Sequence, residues 1–229
     1  MTNLNGIRLA CISLILMMLS CNNGESEYFI VTGNLQHASG KKLLLAELPY
    51  AVADRIVVDS ARIDSSGNFH LQANTSQEKM YQLFLEDGPS MLFINDSKRI
   101  SLTADVDSIE GFTVSGSPAS AFIKDAYDGF YPLYIEWQRQ EEEIKQMPQK
   151  GLTDSMAQVM QTRLLQSKKH VDDFLKAKIA EAKNGTAVYF MLGLARSFLS
   201  SGEFRAELEK SRSRFNDHPG IAWLQIQSH

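Results

Sequence analysis

Cysteine is nearly absent from this chain of 229 residues: there are two, Cys11 and Cys21. Both lie near the start, around an apolar run, Ile12-Ser-Leu-Ile-Leu-Met-Met-Leu-Ser-Cys21, that a polar stretch, Asn22-Asn-Gly-Glu-Ser-Glu27, follows at once. This order predicts a lipoprotein leader, residues 1–20, cut before Cys21, with the Cys21 thiol lipidated. Met18-Leu19-Ser20 is a hydrophobic-then-small approach to the cysteine, unlike the A-x-A-like site of a plain secretory signal. The apolar core is too short for a membrane span, which needs about 20 residues. Cys11 would leave with the leader, so the mature chain is expected to hold no free thiol. That excludes a C-x-x-C redox centre and a peroxidatic cysteine, because thiol–disulfide exchange needs a thiolate. It also excludes disulfide staples, so the fold has to rest on its apolar core.

Excess positive charge is missing too. The formal net charge is −4, and no basic patch with interleaved aromatics points to nucleic acid. No Walker loop, no G-x-G-x-x-G and no G-x-S-x-G elbow occurs. The histidines at 37, 70, 170, 218 and 229 are scattered, none at zinc-ligand spacing from another ligand type. Asp105-Val-Asp107 is too short for a calcium loop. Asp172-Asp173 and Glu141-Glu-Glu143 read as solvated helix surface. No catalytic residue, cofactor site or metal site is therefore expected, and Cys21 is the one assigned position.

What is present falls into two patterns. From 28 to 116 the apolar period is two; from 117 to 229 it is helical. The first stretch predicts strands at Tyr28–Thr32 (ending at Gly33), Lys42–Leu48, Arg55–Asp59 leading into Ala61–Ile63, Phe69–Ala73, Tyr81–Leu85, Met91–Ile94, Ile100–Ala104 and Phe112–Val114. In Phe69–Ala73, Phe69, Leu71 and Ala73 share one face and His70 and Gln72 the other. The turn before it, Asp64-Ser-Ser-Gly-Asn68, is suited to a hairpin, with Gly67 at positive φ. The second stretch opens on Ser117-Pro118, a cap followed by a first-turn proline. Its first helix buries Phe122, Ala126, Phe130, Leu133, Trp137 and Ile144, and Pro132 should kink or split it. Thr153 should cap a second, carrying Met156, Met160, Leu164, Val171, Leu175 and Ile179 and stopping near Asn184-Gly185. A third, Ala187–Leu199, is apolar nearly all round and should be buried. Gly202 precedes a fourth, with Phe204, Leu208 and Phe215; His218-Pro-Gly220 breaks it before a short, uncapped Ile221–Ile226. The expected class is α+β: an N-terminal antiparallel β-sandwich (28–116) behind a polar tether (21–27), followed by an α-helical region (117–229).

The strand region resembles a known family. Phe29-x-Val-x-Gly33, Val58-Asp-Ser60, Asp64-x-x-Gly-x-Phe69, Tyr81-x-Leu-x-Leu85, Phe93-Ile94 with Ile100-x-Leu102, and Phe112-x-Val-x-Gly-Ser117 follow the β-rich domain of unknown function at the N-terminus of lipid-anchored, TlpA/ResA-like (AhpC/TSA-type) thiol-disulfide oxidoreductases. The resemblance covers about Tyr28 to Ser120. It implies an envelope protein held to a membrane through its lipid, acting as an accessory or docking region for a thioredoxin-like domain or protein. In that family the helices lead into a W-C-x-x-C centre; His229 stands where that domain would begin, so no catalytic residue carries over. The sequence is read either as a fragment of a longer oxidoreductase or as a form without the redox half. Leu194-Ala195, Phe198, Gly202, Phe204 and Pro219 also resemble a single tetratricopeptide-like helix pair. The alternative is a standalone glycan- or peptide-binding lipoprotein using Tyr50, Tyr131 or Tyr134. Asn22, in place of a retaining aspartate, favours the outer membrane over the inner, facing the periplasm or the surface.

Replacing Cys21 by Ser should abolish lipid labelling and release the protein from membranes. Fractionation with a radiolabelled acyl precursor tests this, and unchanged retention without label would contradict it.

Overall fold

The computed structural model describes residues 27–146 and 153–228. The assigned leader, Cys21 and all of the tether but Glu27 lie outside these residues. Eight strands come first: β1 (Glu27–Gln36), β2 (Lys42–Leu48), β3 (Ile56–Arg62), β4 (Asn68–Thr75), β5 (Met80–Leu85), β6 (Ser90–Ile94), β7 (Arg99–Asp105) and β8 (Thr113–Ser115). Helices α1 (Pro118–Gln146), α2 (Asp154–Glu181), α3 (Gly185–Ala195), α4 (Ser201–Arg214) and α5 (Pro219–Ile226) follow. The fold class is α+β, a β-rich region succeeded by helices.

Two four-stranded sheets, ordered β4-β1-β7-β8 and β3-β2-β5-β6, face each other. Pairing is antiparallel except between β1 and β7, which run parallel. Alternation builds the core between them: Phe29, Val31 and Leu35 of β1, Leu43 and Leu45 of β2, Phe69 and Leu71 of β4, Leu83 of β5 and Leu102 of β7 are buried together. At its centre the Tyr81 ring lies 4.7 Å from Phe29 and 5.7 Å from Phe93. The predicted faces of β4 are as expected, with Phe69, Leu71 and Ala73 inside and His70 and Gln72 outside. The predicted hairpin forms: Asp64 Oδ1 accepts from the Ser66 and Asn68 amides, both at 2.8 Å, and Gly67 has φ of 84°.

Most strand limits fall within a residue or two of expectation, and β1 departs most. β1 starts at Glu27, the last residue assigned to the tether, and runs through Gly33 to Gln36. Gly33 marks a close approach, not an end: it pairs with Leu102 of β7, and a Cβ there would sit 1.7 Å from the Leu102 carbonyl oxygen. A glycine inside a strand is what such backbone proximity demands.

The helices share a second core. Ile123, Ala126 and Phe130 of α1, Val171, Leu175 and Ile179 of α2, Val188, Met191 and Leu192 of α3, Phe204 and Leu208 of α4, and Ile221 and Leu224 of α5 close on one another, and Ile94 of β6 joins them. Thr153 caps α2 by accepting from the Met156 amide. Four helical expectations need correcting. Pro132 does not split α1, which is continuous over 29 residues; Pro132 and Asp128, whose carbonyl loses its amide partner, are both exposed, so water can satisfy it. Met156 at the start of α2 is exposed, because the contact between α1 and α2 buries Val171, Leu175 and Ile179 further along. Asn184 does not stop α2; it caps α3 by accepting from the Ala187 amide at 3.0 Å. Gly202 lies inside the first turn of α4, whose Ser200 and Glu203 form a capping box. Among the described residues no helix is long and apolar enough to cross a membrane.

Gly33→Ala should lower unfolding stability by about 3 kcal/mol, at the upper end of overpacking costs, with the loss read as a shift in urea midpoint at unchanged slope. A neutral substitution would show that β1 and β7 can part at no cost.

Candidate functional site

Where the sandwich meets the helices, polar side chains from four segments converge. Tyr50 follows β2, Glu78 precedes β5, Asn184 and Thr186 open α3, and His218 opens α5. Thr186 Oγ1 donates to Glu78 Oε1 at 2.6 Å, and Asn184 Nδ2 donates to Glu78 Oε2 at 2.6 Å. His218 Nε2 is 3.1 Å from Thr186 Oγ1 and 3.3 Å from the Tyr50 hydroxyl. That hydroxyl lies 3.3 Å from the Glu78 carbonyl oxygen, to which it donates. The rings pack edge to face, Tyr50 to Tyr189 at 4.8 Å and Tyr50 to His218 at 5.1 Å. Gly220 leaves room for them, since a Cβ there would come within 2.6 Å of Tyr50.

The direction of these bonds decides what the group can do. The Ile221 amide donates to His218 Nδ1, which makes His218 the cap of α5. Nδ1 is thereby an acceptor, so the neutral ring carries its proton on Nε2 and donates to the threonine hydroxyl. The hydroxyl donates onward to Glu78. In a nucleophilic triad the order is the reverse: the imidazole must accept the hydroxyl proton. Thr186 is also fully buried, at 0% exposure, beyond the reach of a substrate. Burial lowers the His218 pKa from its ordinary value, and burial raises that of Tyr50 to about 12. Both groups are thus neutral at pH 7, and the arrangement is a fully bonded lock.

A second polar group stands apart at the sandwich end of β1 and β7. His37 Nδ1 lies 2.8 Å from Asp105 Oδ1 and 3.4 Å from Asp107 Oδ2. Hydrogen bonding to Asp105 raises the His37 pKa and lowers that of Asp105. Sequence spacing hid this group, because the parallel pairing of β1 with β7 joins residues 68 apart. Of the other acidic candidates, Asp173 with Lys169 and Glu141 with Lys145 are surface ion pairs; Asp172, expected on solvated surface, is instead largely buried against Lys168, which also donates to the Phe198 carbonyl. A groove of 690 Å³ between α1 and α2 has a rim whose Glu136 and Glu143 both pair with Arg139.

Of the tyrosines considered for ligand stacking, Tyr50 belongs to the lock. Tyr134 packs on Phe130, Trp137 and Phe198. Tyr131 is 47% exposed and stacks on Tyr127 at 6.0 Å. The lock itself went unread in the sequence, although Asn184 before an apolar run and His218 before Pro219 are both cap signals.

Residues 29–121 match the family model described as a domain of unknown function, DUF4369. The matched stretch begins two residues into β1 and ends inside the first turn of α1, so it takes in the sandwich except Glu27 and Tyr28, together with Ser117–Ala121. No curated protein matches the sequence. Among solved structures, a 9R-lipoxygenase from Cyanothece PCC8801 aligns with 10% identity and a TM-score of 0.26. The alignment covers 53% of this chain and 25% of that enzyme's chain, too loose to carry a functional argument.

Two linked expectations follow from the lock. Thr186→Val removes the donor to Glu78 and should cost about 1–3 kcal/mol, the penalty for stranding a partly buried acceptor. Because the folded pKa of His218 is depressed, its contribution is full above pH 6.5, the ordinary histidine value, and is lost as pH falls below it. His37, with a raised pKa, works in the opposite direction. The measurement is therefore the difference between wild type and His218→Asn, which keeps a capping side chain but does not titrate. Denaturant midpoints from pH 7.5 to 5 should fall more steeply in the wild type, and parallel profiles would contradict this account.

Proposed function

We propose that this protein is a non-catalytic cell-envelope lipoprotein module, anchored through Cys21, which serves as an accessory or docking region for a thioredoxin-like thiol-disulfide oxidoreductase. The observation that carries the non-catalytic part is the direction of the lock. Its hydroxyl, imidazole and carboxylate are the described groups nearest to a nucleophilic constellation, and they are bonded in the order that holds two layers together. Those groups come from both layers, so the sandwich and the helices present one surface to a partner.

The docking part rests on the resemblance of the strand motifs to domains that precede thioredoxin folds. The envelope location rests on the leader and on Cys21, whose lipid would take up the one cysteine kept after processing. On this reading any redox chemistry belongs to the partner.

The test is an insulin-reduction assay on the full chain, purified free of thioredoxins. The expected rate is background, identical in wild type, Thr186→Val and His218→Asn. Turnover above background that either substitution lowers would refute the proposal.

A further inference from the structure

Two carboxylates converge on one imidazole nitrogen at the end of the first sheet, and a single proton can bridge that nitrogen to only one of them at hydrogen-bond distance. His37 Nδ1 has a single hydrogen to donate, yet Asp105 Oδ1 and Asp107 Oδ2 both stand near it, at 2.8 and 3.4 Å. An imidazolium brings one positive charge to two negative ones. A divalent cation with a neutral imidazole would balance both. One donor atom from each of the three residues falls within 4.8 Å of the others. Tetrahedral ligands at zinc distances are about 3.3 Å apart, which the two measured separations bracket. We propose that His37, Asp105 and Asp107 form a binding site for an exchangeable divalent transition-metal ion of the zinc type.

The backbone supplies a firm base for it. Gln36 and Asp105 are partners in the parallel β1–β7 register, and the Val106 amide donates to the Gln36 carbonyl at 3.2 Å. The Asp107 amide donates to Asp105 Oδ1 at 3.0 Å, drawing the second carboxylate over the first. His37 has φ of 58° and is the one non-glycine residue with positive φ among the described residues. One nitrogen with two carboxylates suits zinc and its neighbours better than calcium or magnesium, which take all-oxygen sets with more ligands. The His37 side chain is 61% exposed and that of Asp107 74%, so water can complete the coordination and the ion can exchange. A bound ion would tie the turn after β1 to the turn after β7.

Titration calorimetry of the full chain with zinc chloride alone tests the site. One equivalent should bind, and the thermal midpoint should rise with zinc concentration. His37→Asn keeps a residue type tolerant of positive φ, and Asp107→Asn changes only an exposed oxygen, so both variants should fold as wild type in the absence of metal. Each should weaken zinc binding at least tenfold. No saturable binding, or a loss smaller than tenfold in either variant, would overturn the proposal.

Discussion

The open edge of β6 is the constraint on which the architecture turns. β6 ends the second sheet, and an edge strand exposes amide and carbonyl groups that cannot be buried unpaired. Here the start of α1 supplies the partners. The Ile94 amide donates to Ser120 Oγ at 2.8 Å, and the hydroxyls of Ser117 and Ser120 each lie 3.1 Å from the Ile94 carbonyl. The Ala119 amide donates to Asp96 Oδ2 at 2.8 Å, so the helix start is satisfied by the strand end in turn. With α1 fixed there, Ile94 becomes part of the helical core, and the other helices pack around a wall that already belongs to the sandwich.

The lock is the second fastening of the same seam. Tyr50, Glu78, Thr186 and His218 bring charge and hydroxyls into a half-buried place where each needs a partner. A fully satisfied polar network in such surroundings specifies one relative placement of two layers more sharply than apolar contact does. Elsewhere charges close helix ends. Lys168 reaches the Phe198 carbonyl past the end of α3, and Arg214 donates to the Ile179 and Ala182 carbonyls at the end of α2. Lys176 and the Ser200 cap hold Glu203 well below the carboxylate range, to about 2. These placements stop helices and aim the next one.

Much of this was legible in the residue order. Alternation located the eight strands to within a residue or two in most cases, because each sheet has one face in the sandwich core. The caps Ser117 and Thr153 and the Asp64 turn act locally, and each forms as its neighbours in the chain indicate. Three of the differences share one cause. Gly33 looked like a strand end, Asn184 like a helix stop, and His218 like a simple break, because a glycine, an asparagine or a His-Pro pair means different things according to what lies across from it. Leu102 lies across from Gly33; the Ala187 amide waits for Asn184; Thr186 and Tyr50 meet His218. That α1 runs on through Pro132 without a split depends on exposure, which lets water serve the unpaired carbonyl and has no local signal.

The sequence by itself determined the two-part organisation, the faces of the strands and helices, and the scarcity of thiols, since these depend on periodicity and composition along the chain. Only the tertiary structure decided the parallel β1–β7 pairing, and with it the meeting of His37 with Asp105 and Asp107. Only the tertiary structure oriented the histidine of the lock, and so separated a fastening from a catalytic array. The physical reason is common to both: hydrogen-bond direction and ligand geometry are set between residues tens to more than a hundred positions apart, and no local pattern encodes which of them will touch.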